Sequence, residues 1–161
     1  MAKQSVTELS HMLRHVLYDS SEEYTSLDKE VEFLHSYIEL MRIRYDDDVE
    51  IKLNAPVISR CRHIKMPPLL LIVLVENAFK HGISYNKKSF ITVNISVDAN
   101  ELSCVVANSR HNAHNSGHSG IGLNNITKRL DILFGDSYTR STDESDKNVY
   151  IVELIIPIIK K

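Results

Sequence analysis

One stretch limits what this chain can become more than any other: Pro67-Pro68-Leu69-Leu70-Leu71-Ile72-Val73-Leu74-Val75-Glu76-Asn77-Ala78-Phe79-Lys80-His81-Gly82. Prolines suit the first turn of a helix and glycine suits the residue just past its end, so the spacing predicts one helix between them. It reads as apolar on every side, so the expected helix is buried all round. Yet it carries Glu76 and Asn77, then Lys80 and His81 in its last turn. A buried carboxylate and a buried amide are costly unless each has a partner. Two readings meet that cost. A polar ligand, such as a metal ion with phosphates, lies against one side of the helix. Alternatively, Lys80 and His81 complement the helix dipole, and a neighbouring loop satisfies Glu76 and Asn77.

The 161 residues suit one domain with a helical extension, and 43% hydrophobic residues suit a globular core. A net charge of -2 gives no electrostatic ground for binding nucleic acid or an anionic membrane. Cys61 and Cys104 lie far apart and make no disulfide framework, which fits a reducing cytosol. No signal peptide opens the sequence. The longest fully apolar run, Leu69 to Val75, is far short of the ~20 residues a membrane helix needs. Any membrane anchor, as in a parent protein held in the inner membrane, is expected outside this chain.

Val6, Leu9, Leu13, Val16 and Leu17 recur at helical spacing, with a narrow seam like that of a bundle or dimer helix. A polar loop follows. Thr25 or Ser26 can cap the next helix, with Asp28 and Glu30 favourable in its first turn. Leu27, Val31, Leu34, Ile38, Met41 and Tyr45 form its apolar face, and Asp46-Asp47-Asp48 ends it as a solvated turn. Val49, Ile51 and Leu53 alternate as a short strand. After the Pro67 helix, Ile91 to Val97 and Leu102 to Val106 alternate, joined by an Asp98-Ala99-Asn100 turn as a hairpin. A polar loop with His111, His114 and His118 follows; it lacks the cysteine or carboxylate partners of a metal site. Gly120-Ile121-Gly122-Leu123 opens a helix that ends at Gly135. Tyr138 to Thr142 and Val149 to Ile159 read as strands, with Pro157 near an edge. This order predicts an α+β fold with helices on one face of a sheet.

Two features complement each other. An amide oxygen such as that of Asn77, with waters, suits Mg²⁺ bound to phosphates. The Gly120-Ile121-Gly122 turn lets backbone amides approach closely, and the helix N-terminus behind it favours anions. Together they predict a nucleotide site, with the loop before it able to close.

LVENAFKHG followed by SGIGLNNITKRL resembles the ATP-binding domain of sensor histidine kinases in the GHKL superfamily. More narrowly, LSHMLRHVL, LDKEVEFLHSYIELMRIRY and MPPLLLIVLVENAFKHGI are similar to the LytS-like kinases. The resemblance runs over about residues 6 to 157. It implies a two-layer α/β sandwich of the Bergerat type, a mixed sheet with helices on one face and ATP between two helices. By it, residues 1–24 belong to a dimerisation helix and its loop, and residues 25–161 form the catalytic domain. Asn77 is the Mg²⁺ ligand and Glu76 the polarising acid, with Lys80 and His81 near the phosphates. Gly120, Ile121, Gly122 and Leu123 form the second glycine box, and Asn125 and Arg129 lie on its helix. Residues 109 to 119 form a short lid. The implied activity is transfer of the ATP γ-phosphate to a histidine, then to a response-regulator aspartate, in a cytoplasmic homodimer.

Three departures from the family pattern stand out. The Asp-x-Gly-x-Gly box that reads adenine is replaced by Asn108-Ser109-Arg110-His111-Asn112. An asparagine can still accept from the adenine amino group, but its own amide nitrogen needs another partner. One turn before Asn77 stands Val73, where ATP-hydrolysing members carry a water-activating glutamate. The Pro-His-Phe-Leu-Phe-Asn motif with the phosphoacceptor histidine is missing, so this chain is not expected to phosphorylate itself in cis. The alternatives are a non-catalytic interaction module of the same fold and an anti-sigma-factor-type serine kinase.

Overall fold

A computed structural model describes residues 9, 13, 23–56, 60–111 and 121–160, without the side chains of 121, 122 and 160. The order is β1 (Thr25–Ser26), α1 (Leu27–Arg44), β2 (Val49–Asn54), β3 (Ile64–Met66), α2 (Leu70–Gly82), β4 (Ser89–Val97), β5 (Glu101–Ser109), α3 (Ile121–Phe134), β6 (Thr139–Asp143), β7 (Val149–Pro157) and β8 (Ile159–Lys160). Five strands form one sheet in the order β2-β4-β5-β7-β6; β2 and β4 run parallel and the other neighbours antiparallel. This is the expected mixed sheet.

Alternation decides which face the helices cover. Ile91, Val93 and Ile95 of β4 lie opposite Asn108, Val106 and Cys104 of β5, and those three lie opposite Tyr150, Val152 and Leu154 of β7. The apolar members of this face are buried, Tyr150 excepted, while Asn94 and Ser96 on the other face are exposed. α2 packs on β4 and β5 and also contacts α1 and α3. Tyr37 of α1 meets Phe79 of α2 edge to face at 5.6 Å, and Tyr45 stacks on the same ring at 6.2 Å. Aromatic pairs in such arrangements contribute about 0.5–1.5 kcal/mol beyond their buried area.

α1 buries the predicted stripe of Leu27, Val31, Leu34 and Ile38. Ser26 occupies the capping position but makes no side-chain hydrogen bond to the helix, contrary to the expected cap. The β4–β5 turn closes through Asp98 N–H to the Glu101 carbonyl at 2.9 Å. α3 ends as predicted: Gly135 takes φ 56 and its N–H reaches the Asp131 carbonyl at 3.0 Å. The expected final strand is divided. After Pro157 the chain leaves the large sheet, and β8 pairs with β3, which pairs with β1 on its other side. This three-stranded sheet was not expected, because strands of two or three residues carry no alternation to read.

Residues 1–8, 10–12 and 14–22 of the expected first helix lie outside the described residues. Leu9 and Leu13, one turn apart and helical, are each 51% exposed.

Candidate functional site

α2 differs from its expected form in two ways. It is not buried all round: Glu76, Lys80 and His81 are exposed, and Val73 and Asn77 are partly so. At spacings of three and four these residues make one open stripe, while Leu70, Leu71, Leu74, Val75, Ala78 and Phe79 are buried. The polar side chains are therefore presented outward from a helix anchored on its other sides. The Glu76 carboxyl still lies close enough to apolar surface for partial desolvation to raise its pKa. Burial pushes Tyr37 of α1 up to about 12, and the nearby Glu76 charge adds to the rise.

The second difference is at the start. Pro67 and Pro68 precede the helix and do not form its first turn; Leu69 is the capping residue, at φ 59 and ψ 25. A leucine in left-handed backbone costs about 1–2 kcal/mol. Both sides of the Pro68–Leu69 peptide are held. The Leu69 N–H donates to Glu30 Oε1 of α1 at 3.0 Å. The Pro68 carbonyl accepts from Arg129 Nη1 of α3 at 2.7 Å. Glu30 stands in the first turn of α1, as expected, and is 0% exposed. Burial holds the Arg129 guanidinium below its ordinary pKa, and the Glu30 charge pulls it back up. Glu30 sits three residues after Leu27 and four before Leu34, inside the apolar stripe; that placement was the available sign of its role.

The other end of α2 meets the replaced adenine box. Gly82 was expected just past the end of the helix. It is the last helical residue, and positive φ among described glycines is confined to Gly135. Its reason is space: a Cβ there would stand 2.8 Å from Asn108 Cβ and 3.0 Å from Asn108 Nδ2. Asn108 is 2% exposed, and its Nδ2 donates to the Ser109 carbonyl at 2.9 Å. That bond is the partner the amide nitrogen needed, and it fixes Oδ1 as the acceptor side. Ser109 Oγ donates to the Gly82 carbonyl at 2.5 Å and accepts from Phe90 N–H at 3.1 Å. Arg110 turns away to Glu144, at 3.2 Å. His111 Nε2 lies 2.9 Å from Ser89 Oγ.

α3 packs beside α2 and opens at Ile121, so Gly122 lies in its first turn, where backbone amides lack helical partners. Leu123, Ile126 and Leu130 are buried and Asn125 is exposed. Gly120 and residues 112–119 of the expected lid, His114 and His118 among them, lie outside the described residues. Among the described residues no group of three or more His, Cys, Asp or Glu could hold a metal, and no helix is long and apolar enough to cross a membrane. A surface groove between the end of α1 and β2, lined by Arg42, Asp46, Lys88 and Phe90 among others, includes no predicted site residue.

A profile of the histidine kinase family matches residues 1–49. Sensor protein LytS of Oceanobacillus iheyensis is 30% identical over 97% of this chain and 29% of its own length. The sensor histidine kinase/phosphatase LytS of Staphylococcus aureus is 31% identical over 84% of this chain and 26% of its own. The chain is homologous to the LytS sensor histidine kinases. It spans less than a third of the length of these LytS relatives. The catalytic domain of histidine kinase ThkA superposes with a TM-score of 0.59 at 14% identity, covering 84% of this chain and 96% of that domain. The fold is thus that of the ThkA catalytic domain. ThkA has also been solved in complex with the response regulator TrrA; that match has a TM-score of 0.51 at 12% identity, over 94% of this chain and 48% of that one. In the LytS homologue described here, the LVENAFKHG segment carries the polar residues of the open stripe of α2, and SGIGLNNITKRL runs into α3.

Proposed function

We propose that this chain is the ATP-binding catalytic portion of a sensor histidine kinase, with residues 25–161 as the catalytic domain and residues 1–24 as part of its dimerisation helix and loop. The observation that carries this reading is the stripe of Glu76, Asn77, Lys80 and His81 on the open face of α2, beside the helix that opens at Gly122 and leading to the Gly82–Asn108 contact. An amide oxygen on an open face, with room for waters, fits Mg²⁺ better than a softer metal. When bound, Mg²⁺ supplies charge neutralisation on the phosphate oxygens.

The chain's own residues do the rest. Asn77 offers the metal ligand, and Glu76 polarises it. Lys80 and His81 sit toward the phosphates, and the amides of Gly120, Ile121, Gly122 and Leu123 cradle them. Asn108 Oδ1 accepts from the adenine amino group. A histidine nitrogen attacks the γ-phosphorus, the N–P bond forms as the bond to ADP breaks, and ADP leaves. The phosphoryl group then passes to an aspartate of a response regulator; the ThkA–TrrA complex supports that class of partner. Catalysis is mostly positioning and charge stabilisation. Val73, one turn before Asn77, provides no base to activate water, which favours transfer over hydrolysis. The working state is a homodimer with this domain in the cytoplasm.

Calorimetric titration with ADP and a non-hydrolysable ATP analogue, with and without Mg²⁺, tests the site. The expected result is Mg²⁺-dependent binding that Asn77→Ala abolishes. Equal binding by the variant overturns the assignment of Asn77. No binding by the parent chain favours a non-catalytic interaction module, the reading motivated by the replaced adenine box at Asn108 to Asn112.

A further inference from the structure

We infer that Glu30 and Arg129 are positioning residues of the nucleotide site, acting together through the single Pro68–Leu69 peptide. The inference rests on the nucleotide reading above. Glu30 on α1 accepts from the N–H of that peptide, and Arg129 on α3 donates to its carbonyl. One peptide plane is therefore clamped between two helices, immediately before a third begins. Asn77 lies eight residues beyond Leu69, about 12 Å along α2. Gly122 lies seven residues before Arg129, about 10 Å along α3. A helix moves as a rod over such lengths, so the clamp fixes where both ends of the phosphate site stand relative to each other.

The geometry explains two otherwise costly features. A leucine in left-handed backbone persists where its surroundings over-determine it, and here both hydrogen-bonding groups of the preceding peptide are fixed. A carboxyl group at 0% exposure is costly, and here the Leu69 N–H bond to Oε1 and the nearby Arg129 charge offset that cost. Glu30 also places α1 in the same device. A shift of α1, the helix that follows residues 1–24, would reach the start of α2 through this one hydrogen bond.

The test measures Mg-ADP affinity in the 161-residue chain, with Glu30→Gln, Glu30→Leu, Arg129→Met and the Glu30→Leu/Arg129→Met double variant, each checked for folding by circular dichroism. Glu30→Leu and Arg129→Met should weaken binding about tenfold or more while remaining folded. Glu30→Gln keeps an oxygen for the Leu69 N–H and should stay within about threefold of the parent. The double variant should bind no worse than the weaker single one, because both act through one peptide. Parent-like affinity with only a lowered melting temperature would overturn the inference, as would additive losses. Should the apolar variants fail to fold, amide exchange at Leu69 of the parent decides: about tenfold slowing with Mg-ADP is expected, and no change overturns it. If neither the parent nor Asn77→Ala binds nucleotide, the nucleotide reading has failed, and this inference falls with it.

Discussion

Asn108 is a buried amide whose two ends have different duties. Its Nδ2 is committed to the Ser109 carbonyl, and Gly82 has no Cβ to crowd it. An aspartate there, the residue usual in the family, would bring a carboxylate oxygen against that carbonyl at 2% exposure. We therefore predict that Asn108→Asp destabilises the fold by about 1–3 kcal/mol, measured by urea denaturation. The sequence made the demand for a partner legible, but its identity was not, because the Ser109 carbonyl is backbone. Gly82 was legible as important, but its reason was not: a helix end and a close approach both select glycine, and only packing tells them apart. Glu30 was read in the first turn, where it lies, but its contact with Leu69 was not legible, because its spacing from the helix start suits dipole compensation as well as burial. Its position within the Leu27–Leu34 stripe was the stronger signal.

At the scale of the element, α2 is a helix built to hold polar groups out from a packed body. A run rich in leucine and valine masks the stripe, because Val73 breaks its polar character while sharing its face. Holding Glu76 partly desolvated has a cost. Its folded-state pKa lies above the usual 4.5, so the folded state binds the proton more readily than the unfolded state. The favourable contribution from the protonated form is full below 4.5 and is lost as pH rises through the raised value. Glu76→Gln should therefore raise the melting temperature at neutral pH, with the gain narrowing as pH falls toward 4.5. Thermal melts of the two chains across that range check the sign. The same substitution removes the polarising acid, so stability and phosphoryl transfer should move in opposite directions.

At the scale of the molecule, the central hairpin and the covered face followed from alternation and element order, and the mixed sheet from the family resemblance. β1, β3 and β8 did not, since their pairing is a consequence of where the packed layers bring the chain. Yet this small sheet leads to the site: β3 stands between β1 and β8 and runs within three residues of Leu69. Ser26 and Ile159 both pair with Lys65, and residues 25 and 160, offset by two residues along β3, are about 12 Å apart. The exposed Asp98-Ala99-Asn100 turn lies at the other end of β5 from Asn108, about 24 Å away along the strand. The protein should consequently tolerate circular permutation. A linker of about five residues from 160 to 25, with new termini opened between Ala99 and Asn100, should preserve the circular dichroism spectrum and Mg-ADP binding. The elements would then be made in a new order, while the contacts that place Asn77 and Asn108 stay as they are.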